Sequence, residues 1–314
     1  MIYSFFHKFR FSHFLGRNLL TESFLPFKFL YGLFKKINYS KTITKNGVSF
    51  TVLLKNGIGT MNFIDDYEKW FDEIIPKVLS SPNSVFIDIG ANVGQTLLKT
   101  LPYYPEVKYY AIEPNKSCVD YLESLCKVNN FKRVKIINYA LSDVVGETEL
   151  LMRYQDDLLA TTTPSFRKYT KYSSKVVVPT TTGDHLIAKE NLKEISLIKI
   201  DVEGGEYKVL AGLVDSIRIY QPYIICEILP LASKAEDVKN FRILSAQKIF
   251  EILSDLDYSV YNIANKRTIQ QVEELSLSLE SCNYLFIPKS IDHYSVKPTN
   301  KKHSNTMEAM LQPI

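Results

Sequence analysis

The sequence predicts an α/β fold in which parallel strands are joined by helices that cross over the sheet. Apolar strand-like runs alternate with helix-like runs from about residue 85 onward, and the first of these strands leads directly into a glycine-containing loop. Of the 314 residues, 46% are hydrophobic, which is enough to build a large core. Because strand–helix–strand connections are right-handed, the sheet is predicted to be doubly wound, with helices on both faces.

Charge divides the chain into a leader, a main domain and a tail. Residues 1–41 carry seven Lys and Arg against Glu22 alone, a net charge of 7 − 1 = +6, so the rest of the chain carries 4 − 6 = −2. We therefore predict a basic aromatic leader at 1–41, an α/β domain at 42–290 and a polar tail at 291–314. A main domain so close to neutral argues against nucleic acid as a partner.

The leader is rich in aromatic as well as basic side chains. It contains nine of the 18 phenylalanines of the chain. Such a composition is typical of a segment that makes peripheral contact with an anionic membrane surface. The alternative is an aromatic helical layer that packs on the main domain or on the second subunit of a homo-oligomer.

Cysteine usage and hydropathy bear on the cellular location. Four cysteines are too few for a disulfide scaffold and too widely spaced for a CxxC metal site, so reduced thiols in the cytoplasm are predicted. No stretch approaches the roughly 18 apolar residues of a membrane span, and the N-terminus lacks a clean signal-peptide core.

The elements of the main domain follow in order along the chain. Asn46-Gly47 lies between two alternating runs and predicts a hairpin with a tight turn. A helix is predicted at 65–79, another after Gly94 and a third that begins at Asn115. Strands of the sheet are predicted in SVFIDI, KYYAIE, VKIINYA, ISLIKID, PYIICEI, YSVYNI and NYLFIP.

Residues 147–183 interrupt this alternation. ETELLMR and KVVVPTTT resemble two strands that enclose a polar excursion rich in Thr, Ser and Tyr. Two interpretations stay open. The hairpin either closes over a substrate at the carboxyl ends of the sheet, or it forms a plain surface loop.

The loop in VFIDIGANVGQT excludes two common ligand classes. A phosphate-binding P-loop ends in Gly-Lys-Ser/Thr, whereas Gly94 is followed by glutamine. The dinucleotide fingerprint has glycine where Asn92 and Gln95 stand here. What remains is Asp88 before a loop in which Gly90 and Gly94 bring the backbone close to a ligand. A nucleoside without a pyrophosphate fits this pattern best.

The next two strand ends supply further polar side chains. Glu113 in AIEPN ends the second strand, roughly 20 residues after the glycine loop, where an acidic side chain accepts hydrogen bonds from ribose hydroxyls. The alternative for Glu113 is a solvated glutamate at a helix start. Ser142 and Asp143 in ALSD follow the third strand, where polar groups can bind an adenine edge.

Four blocks in order resemble one known family. VFIDIGANVGQT, AIEPN, NYALSD-x-x-G and LIKIDVEGGEYKVLAG are similar to the FkbM-type methyltransferases, and the resemblance covers about residues 45–288. Two departures lie outside the cofactor blocks, Gly205 where a bulkier residue is common and His185 where a second acid is frequent. The leader and the tail have no counterpart in the family.

The resemblance implies both a fold and an activity. The implied fold is a Rossmann-like seven-stranded class I methyltransferase sheet with strand order 3-2-1-4-5-7-6, the last strand antiparallel. The implied activity is transfer of a methyl group from S-adenosyl-L-methionine to a hydroxyl, on a small molecule such as a sugar or secondary metabolite, or on a glycan. The alternatives are N- or C-methylation by the same fold, or an inactive cofactor-binding subunit that serves as an interaction protein.

The carboxylates of KIDVEGGE are the candidate catalytic groups. An alcohol must lose its proton on methylation, and a positioned base contributes typically about 10²–10⁴-fold to the rate. Asp201 ends the fourth strand and Glu203 follows two residues later, so these two are predicted to be catalytic. The alternative is that they cap the next helix. Glu227 ends the neighbouring strand and is a further candidate. Whether a divalent metal takes part stays open, because carboxylates without distinctive spacing do not establish a metal site.

Overall fold

A computed structural model describes residues 37–63, 68–79, 81, 83–153, 157–166 and 172–291. The chain divides into two compact units, Met1–Asp65 and Asp66–Ile314. Most of the predicted leader and all of the predicted tail after residue 291 lie outside the described residues. In the part of the chain that is described, no helix has both the length and the apolar character needed to cross a membrane.

The first unit contains the predicted hairpin. Strands β1 (Tyr39–Lys45) and β2 (Val48–Leu54) pair antiparallel, with Lys45 opposite Val48. Asn46 and Gly47 form the turn with φ angles of 51° and 78°, the positive values that a type I′ turn requires. The hairpin prediction is thus confirmed. A short 3₁₀ helix follows at Thr60–Phe63.

The second unit is built on a mixed sheet with helices. Its strands are β3 (Val85–Ile89), β4 (Lys108–Ile112), β5 (Val134–Ile137), β6 (Ala140–Leu141), β7 (Gly146–Met152), β8 (Ser174–Thr181), β9 (Ile195–Ile200), β10 (Tyr223–Glu227), β11 (Tyr258–Asn262), β12 (Arg267–Ile269) and β13 (Asn283–Pro288). Its helices are α1 (Phe71–Val78), α2 (Gln95–Thr100), α3 (Lys116–Asn129), α4 (Gly183–Lys189), α5 (Glu206–Ala211), α6 (Val214–Tyr220) and α7 (Glu236–Asp255). Short 3₁₀ helices lie at Pro164–Phe166, Val272–Glu274 and Leu279–Ser281.

The strand order of the large sheet is β12-β11-β13-β10-β9-β3-β4-β5. Read from β5 to β11, this is the 3-2-1-4-5-7-6 order that the family resemblance implies. Strand β13 runs antiparallel to both β10 and β11, as expected of the last strand. The predicted count of seven strands is wrong, because β12 pairs antiparallel with β11 and adds an eighth strand at the edge.

The two faces of the sheet differ in character. Val85, Ile87 and Ile89 of β3 point into the main hydrophobic core, together with Ile198 and Ile200 of β9. Because side chains alternate along a strand, Phe86 and Asp88 point to the opposite face. That face therefore carries buried polar groups at the end of β3 that leads into the glycine loop.

The predicted strand in VKIINYA is split between two sheets. Strand β5 ends at Ile137 in the large sheet, whereas β6 pairs with β8 in a three-stranded sheet of order β6-β8-β7. The chain turns between them because the Asn138 side chain donates hydrogen bonds to the carbonyl oxygens of Glu113 and Pro114, both at 2.8 Å. In the same small sheet, β7 and β8 form the predicted antiparallel pair.

Candidate functional site

The glycine loop follows β3 and is held against the neighbouring strands. The N–H groups of Gly90 and Ala91 both donate to the carbonyl of Ile112, at 2.9 and 3.1 Å. Gly90 has a φ of +83°, and a Cβ on it would lie 1.9 Å from the backbone oxygen of Asp201. The loop therefore meets the end of β9 directly, and only glycine allows this approach.

Gly94 is constrained by a different neighbour. Its φ is +75°, and a Cβ there would lie 2.9 Å from a methyl group of Leu122 on helix α3. Each glycine of the loop is thus required by the protein's own packing. The sequence predicted their backbone freedom but not the groups that they approach.

Asp88 is a fully buried carboxyl group at the start of this loop. Its Oδ2 atom accepts a hydrogen bond of 2.6 Å from the Tyr109 hydroxyl. Its Oδ1 atom is buried without a hydrogen-bond partner among the described residues. Burial raises the pKa of Asp88 to about 6. A buried carboxylate oxygen with free hydrogen-bonding capacity marks a place where a polar ligand group can bind.

Glu113 joins two chain segments at the carboxyl edge of the sheet. Its Oε2 accepts a hydrogen bond from the Asn92 N–H at 2.9 Å, and its Oε1 accepts one from the Asn115 N–H at 2.8 Å. Burial raises the pKa of Glu113 to about 7, although these two hydrogen bonds favour the charged form. Each carboxylate oxygen retains a further lone pair, so Glu113 can still accept hydrogen bonds from a ligand.

Ser142 and Asp143 directly follow β6 of the small sheet. The Ser142 N–H donates to Thr181, and its hydroxyl lies 2.9 Å from Asp143. The group that reaches Glu113 from this part of the chain is Asn138, which sequence reasoning missed. Its signal was an asparagine directly after an apolar strand in the NYALSD block.

The second group of carboxylates lies after β9. The Asp201 side chain is 30% exposed, and its Oδ2 atom lies 2.9 Å from Lys199 Nζ. Glu203 adopts a left-handed backbone conformation with φ of 58°, which is unusual for a residue other than glycine or asparagine. Its carbonyl accepts a hydrogen bond of 2.7 Å from the Thr161 hydroxyl. Strained backbone of this kind is frequent at functional sites.

Two further carboxyl groups lie beside Asp201 and Glu203. Burial raises the pKa of Glu206 to about 7, and its Oε1 accepts a hydrogen bond from the Gly204 N–H at 2.9 Å. Burial and the charges of Asp201 and Glu203 raise the pKa of Glu227 well above its ordinary value. Glu206 therefore stabilises the turn after Glu203, and burial opposes ionisation of Glu227.

A metal site does not emerge from these groups in the described part of the chain. There, no cluster of three or more His, Cys, Asp or Glu side chains is arranged to hold a metal ion. The sequence left this point open.

Residues 157–166, which we name the capping segment, lie over the carboxyl edge of the sheet. The Asn92 side chain donates to the Leu158 carbonyl at 2.8 Å, and the Asn115 side chain donates to the Asp157 carbonyl at 3.1 Å. At the other end, the ring of Phe166 lies 2.4 Å from where a Cβ on Gly204 would stand. The segment thus contacts the loops after β3, β4 and β9. Closure over a substrate stays a prediction.

Asp157 anchors the capping segment internally. Its side chain is fully buried and accepts hydrogen bonds from the Arg153 guanidinium and from the N–H groups of Arg153 and Leu159. Burial opposes the charge of Asp157, but these hydrogen bonds outweigh it and lower the pKa. A buried, ionised aspartate therefore fixes the start of the segment.

Comparison with known proteins identifies the family. The family model of the methyltransferase FkbM domain matches residues 88–286. The curated protein 2-O-methyltransferase NoeI of Sinorhizobium fredii is 24% identical over 192 residues, which cover 54% of this chain and 77% of NoeI.

Two solved structures are similar to this chain at low sequence identity. Methyltransferase FkbM from Methylobacillus flagellatus is 14% identical with a TM-score of 0.42, and the match covers 66% of this chain but only 44% of that chain. A putative caffeoyl-CoA O-methyltransferase from Staphylococcus aureus is 9% identical with a TM-score of 0.43, and the match covers 73% of this chain and 87% of that one.

The family match begins at Asp88, includes Glu113, Asp201 and Glu203, and ends within β13, so it spans the sheet and the site described above. The chain belongs to the FkbM methyltransferase domain family and is an S-adenosylmethionine-dependent methyltransferase.

Proposed function

We propose that the chain methylates a hydroxyl group on a sugar, a glycan or a secondary metabolite. The observation that carries this proposal is the position of Asp201, a partly exposed carboxylate whose backbone packs directly on Gly90 of the glycine loop. A proton acceptor thereby stands beside the loop assigned to the cofactor. The similarity to a 2-O-methyltransferase over 77% of its length supports a hydroxyl acceptor.

The residues present at the glycine loop fit the cofactor. Asp88 offers a buried oxygen that has no hydrogen-bond partner among the residues that the structure describes, and Glu113 retains acceptor capacity on both oxygens. We assign cofactor binding to Asp88, Glu113 and the loop residues Gly90, Asn92 and Gly94. Ser142 and Asp143 remain the proposed contacts of the adenine edge, with Asn138 as the group that fixes the Glu113–Pro114 backbone.

When bound, S-adenosylmethionine supplies an electrophilic methyl group on a sulfonium. Little covalent assistance is then needed, so the chain contributes by orientation and by accepting a proton. We assign the proton transfer from the acceptor hydroxyl to a carboxylate oxygen of Asp201 or Glu203. Burial and the charges of those two residues oppose ionisation of Glu227.

The capping segment is the proposed acceptor-facing part of the chain. It contacts both groups of site residues, through Asn92 on the cofactor side and through the Glu203 carbonyl on the catalytic side. A segment in that place excludes water from the reacting oxygen and shapes the acceptor site. Its Thr and Ser side chains offer hydroxyl groups of the kind that bind sugars.

Transfer of tritium from methyl-labelled cofactor tests the proposed reaction. We expect label in one or more members of a panel of methyl glycosides, and no label with an Asp201→Asn, Glu203→Gln double variant. Amines and activated carbon acids in the same panel identify N- or C-methylation. Label found only in those compounds, or in none while the cofactor still binds, would overturn the assignment to a hydroxyl acceptor.

The predicted leader is the subject of a separate proposal. We propose that residues 1–41, with a net charge of +6, associate with anionic membrane surfaces. The full chain should sediment with anionic liposomes, and a chain that starts at Lys41 should not. Salt should weaken the association, because exposed charges are screened within about 8 Å at physiological ionic strength. Equal sedimentation of both chains would contradict the proposal.

A further inference from the structure

Lys199 is a buried cation for which sequence reasoning had assigned no role. It lies on β9, two residues before Asp201, and its residue is only 4% exposed. Its Nζ atom lies 2.9 Å from Asp201 Oδ2. Such a burial is costly unless the charge is paired, so the side chain depends on the carboxylates that surround it.

The parallel pairing of β3 and β9 brings a second carboxylate to Lys199. Asp88 is its direct partner in the register of the two strands, so the two side chains stand on the same face of the sheet. Lys199 therefore lies between Asp88, assigned to the cofactor side, and Asp201, assigned to the proton transfer.

The other charged groups around this pair come from every neighbouring element. Glu68, in the turn before α1, acts on Lys199 electrostatically and forms an ion pair of 3.5 Å with Lys99 of α2. The Tyr109 hydroxyl on β4 donates to Asp88. The remaining carboxyl groups that act on Asp201 or its neighbours are Glu203, Glu206 and Glu227.

Lys199 and the carboxylates of Asp88, Asp201 and Glu68 form a cluster whose charge balance depends on Lys199. Burial disfavours its ammonium form, but the carboxylates of Asp201, Asp88 and Glu68 outweigh burial and raise its pKa. Lys199 is thus charged throughout the range in which the enzyme works. Without Lys199, the carboxylates of Asp88, Asp201 and Glu68 would lose the cation that they share, and Glu68 would keep its ion pair with Lys99.

We propose that Lys199 is a positioning residue that holds the Asp201 carboxylate at the carboxyl edge of the sheet and couples it to Asp88 across the strands. It would act through Asp201, without touching the acceptor or the cofactor itself. The inference deepens the proposed function and rests on it, since Asp201 must matter for turnover. It also predicts that the titration of Asp88 depends on Lys199, which can be measured without turnover.

The turnover test is a double-mutant cycle in the full chain. With the methyl glycoside that accepts most label, Lys199→Met should lower kcat by about 10²-fold, the order expected for a misplaced catalytic group. The same change in an Asp201→Asn background should cause little further loss, because the partner is already gone. Lys199→Arg should recover part of kcat. Calorimetry on Lys199→Arg should show an affinity for the demethylated cofactor within about threefold of that of the parent. Losses that multiply in the double variant would overturn the proposal.

A pH profile separates positioning from a structural role. Removal of the cation leaves Asp88, Asp201 and Glu68 to repel one another, so protonation of the cluster should occur at higher pH. In Lys199→Met, the fall of kcat at low pH should then shift to higher pH by about one unit or more. In Lys199→Arg, it should occur at the same pH as in the parent. If kcat of Lys199→Met is reduced but falls at the same acidic pH as in the parent, Lys199 only supports the fold. If Lys199→Met does not fold, Lys199→Gln takes its place, since it can still donate a hydrogen bond to Asp201.

A readout without turnover distinguishes failure of this inference from failure of the proposed function. In protein labelled with ¹³C-aspartate, the Asp88 carboxyl should titrate near its pKa of about 6 and move to higher pH in Lys199→Met or Lys199→Gln. An unchanged Asp88 titration overturns the coupling through Lys199, whatever the enzyme methylates. A shifted titration together with normal turnover in Asp201→Asn would instead exclude Asp201 as the proton acceptor and contradict its positioning by Lys199, while the link between Lys199 and Asp88 would stand.

Discussion

The backbone oxygen of Asp201 occupies the place of a Cβ atom on Gly90, since the two would lie 1.9 Å apart. The Asp201 N–H also donates to the carbonyl of Ile89 at 3.0 Å, directly before the glycine. The glycine loop and the end of β9, which leads into the proposed base Asp201, are therefore packed directly against each other. A displacement of either would move the other.

Gly90→Ala should destabilise the protein by about 2–5 kcal/mol. A left-handed backbone costs about 1–2 kcal/mol in a residue with a Cβ, and overpacking adds about 1–3 kcal/mol. Urea unfolding measures the loss. Gly205→Ala is a control in the same unit, because the nearest neighbour of its Cβ would be a half-buried Val202 methyl at 3.3 Å and its φ is −98°. We expect the control to lie within about 0.5 kcal/mol of the parent. Equal losses would contradict the role of the close approach.

Glu113→Ala should weaken cofactor binding by about 1–3 kcal/mol, because hydrogen bonds from a ligand to a charged acceptor are lost. Calorimetry with S-adenosylhomocysteine measures the change. Glu123→Ala, on the exposed side of helix α3, removes a carboxylate of the same type and should leave the affinity unchanged. Unchanged affinity in both variants would remove the assignment of Glu113 to the ribose.

The same carboxyl group predicts a pH dependence of stability. Burial raises the pKa of Glu113 from 4.5 to about 7, so between these pH values the folded state binds the proton more tightly than the unfolded state. Stability should therefore fall as pH rises through this window, and Glu113→Gln should remove this part of the slope. The contribution is at most on the order of 3 kcal/mol. Urea unfolding at pH 5 and 7.5, with the exposed Glu147→Gln as control, tests it. An unchanged slope in Glu113→Gln would show that Glu113 does not titrate in this range.

The sequence predicted most of the sheet and less of its edges. Apolar runs such as VFIDI and YIICE define central strands because both of their faces are buried, and a continuous apolar run signals this directly. Strand β12, with the sequence RTI, was missed because three residues at an edge, of which only Ile269 is buried, are too few to carry a periodic signal. The split after Ile137 was missed for another reason. It depends on the Asn138 side chain, whose bonds to Glu113 and Pro114 join segments distant in sequence.

The candidate site was predicted in the same uneven way. The residues at strand ends were found, since the carboxyl ends of parallel strands meet at one edge. The contacts between these residues were not predicted. In the sequence, Lys199 is a single charge inside an apolar strand, and only the register of β3 and β9 shows that it lies beside Asp88. Glu68 likewise lies in a turn whose place beside Lys99 only the fold determines.

Asp157→Asn should loosen the capping segment without unfolding the domain. The change removes the charge that Arg153 neutralises and leaves the guanidinium without its buried partner. We expect faster proteolytic cleavage within residues 153–172 and a higher KM for the acceptor, while cofactor affinity changes less. Asp120→Asn is the matched control, because Asp120 forms an exposed ion pair with Lys116 that contributes little. If both variants are cleaved at the parental rate, the Arg153–Asp157 pair does not hold the segment.

The chemical step gives the decisive prediction. Asp201→Asn and Glu203→Gln each preserve the shape of the side chain and remove its ability to accept a proton. If one of them is the base, that variant should keep its fold and cofactor affinity while kcat falls by about 10²–10⁴-fold, a loss confined to the transition state.

Glu280→Gln, on an exposed turn, is the control for loss of a carboxylate elsewhere. A repeat with and without a chelator determines whether a divalent metal contributes. Normal turnover in both site variants would mean that orientation alone drives the reaction. Loss of cofactor affinity instead would place these carboxylates in the binding site, and Glu227, at the end of β10 beside Cys282, would become the next candidate for the base.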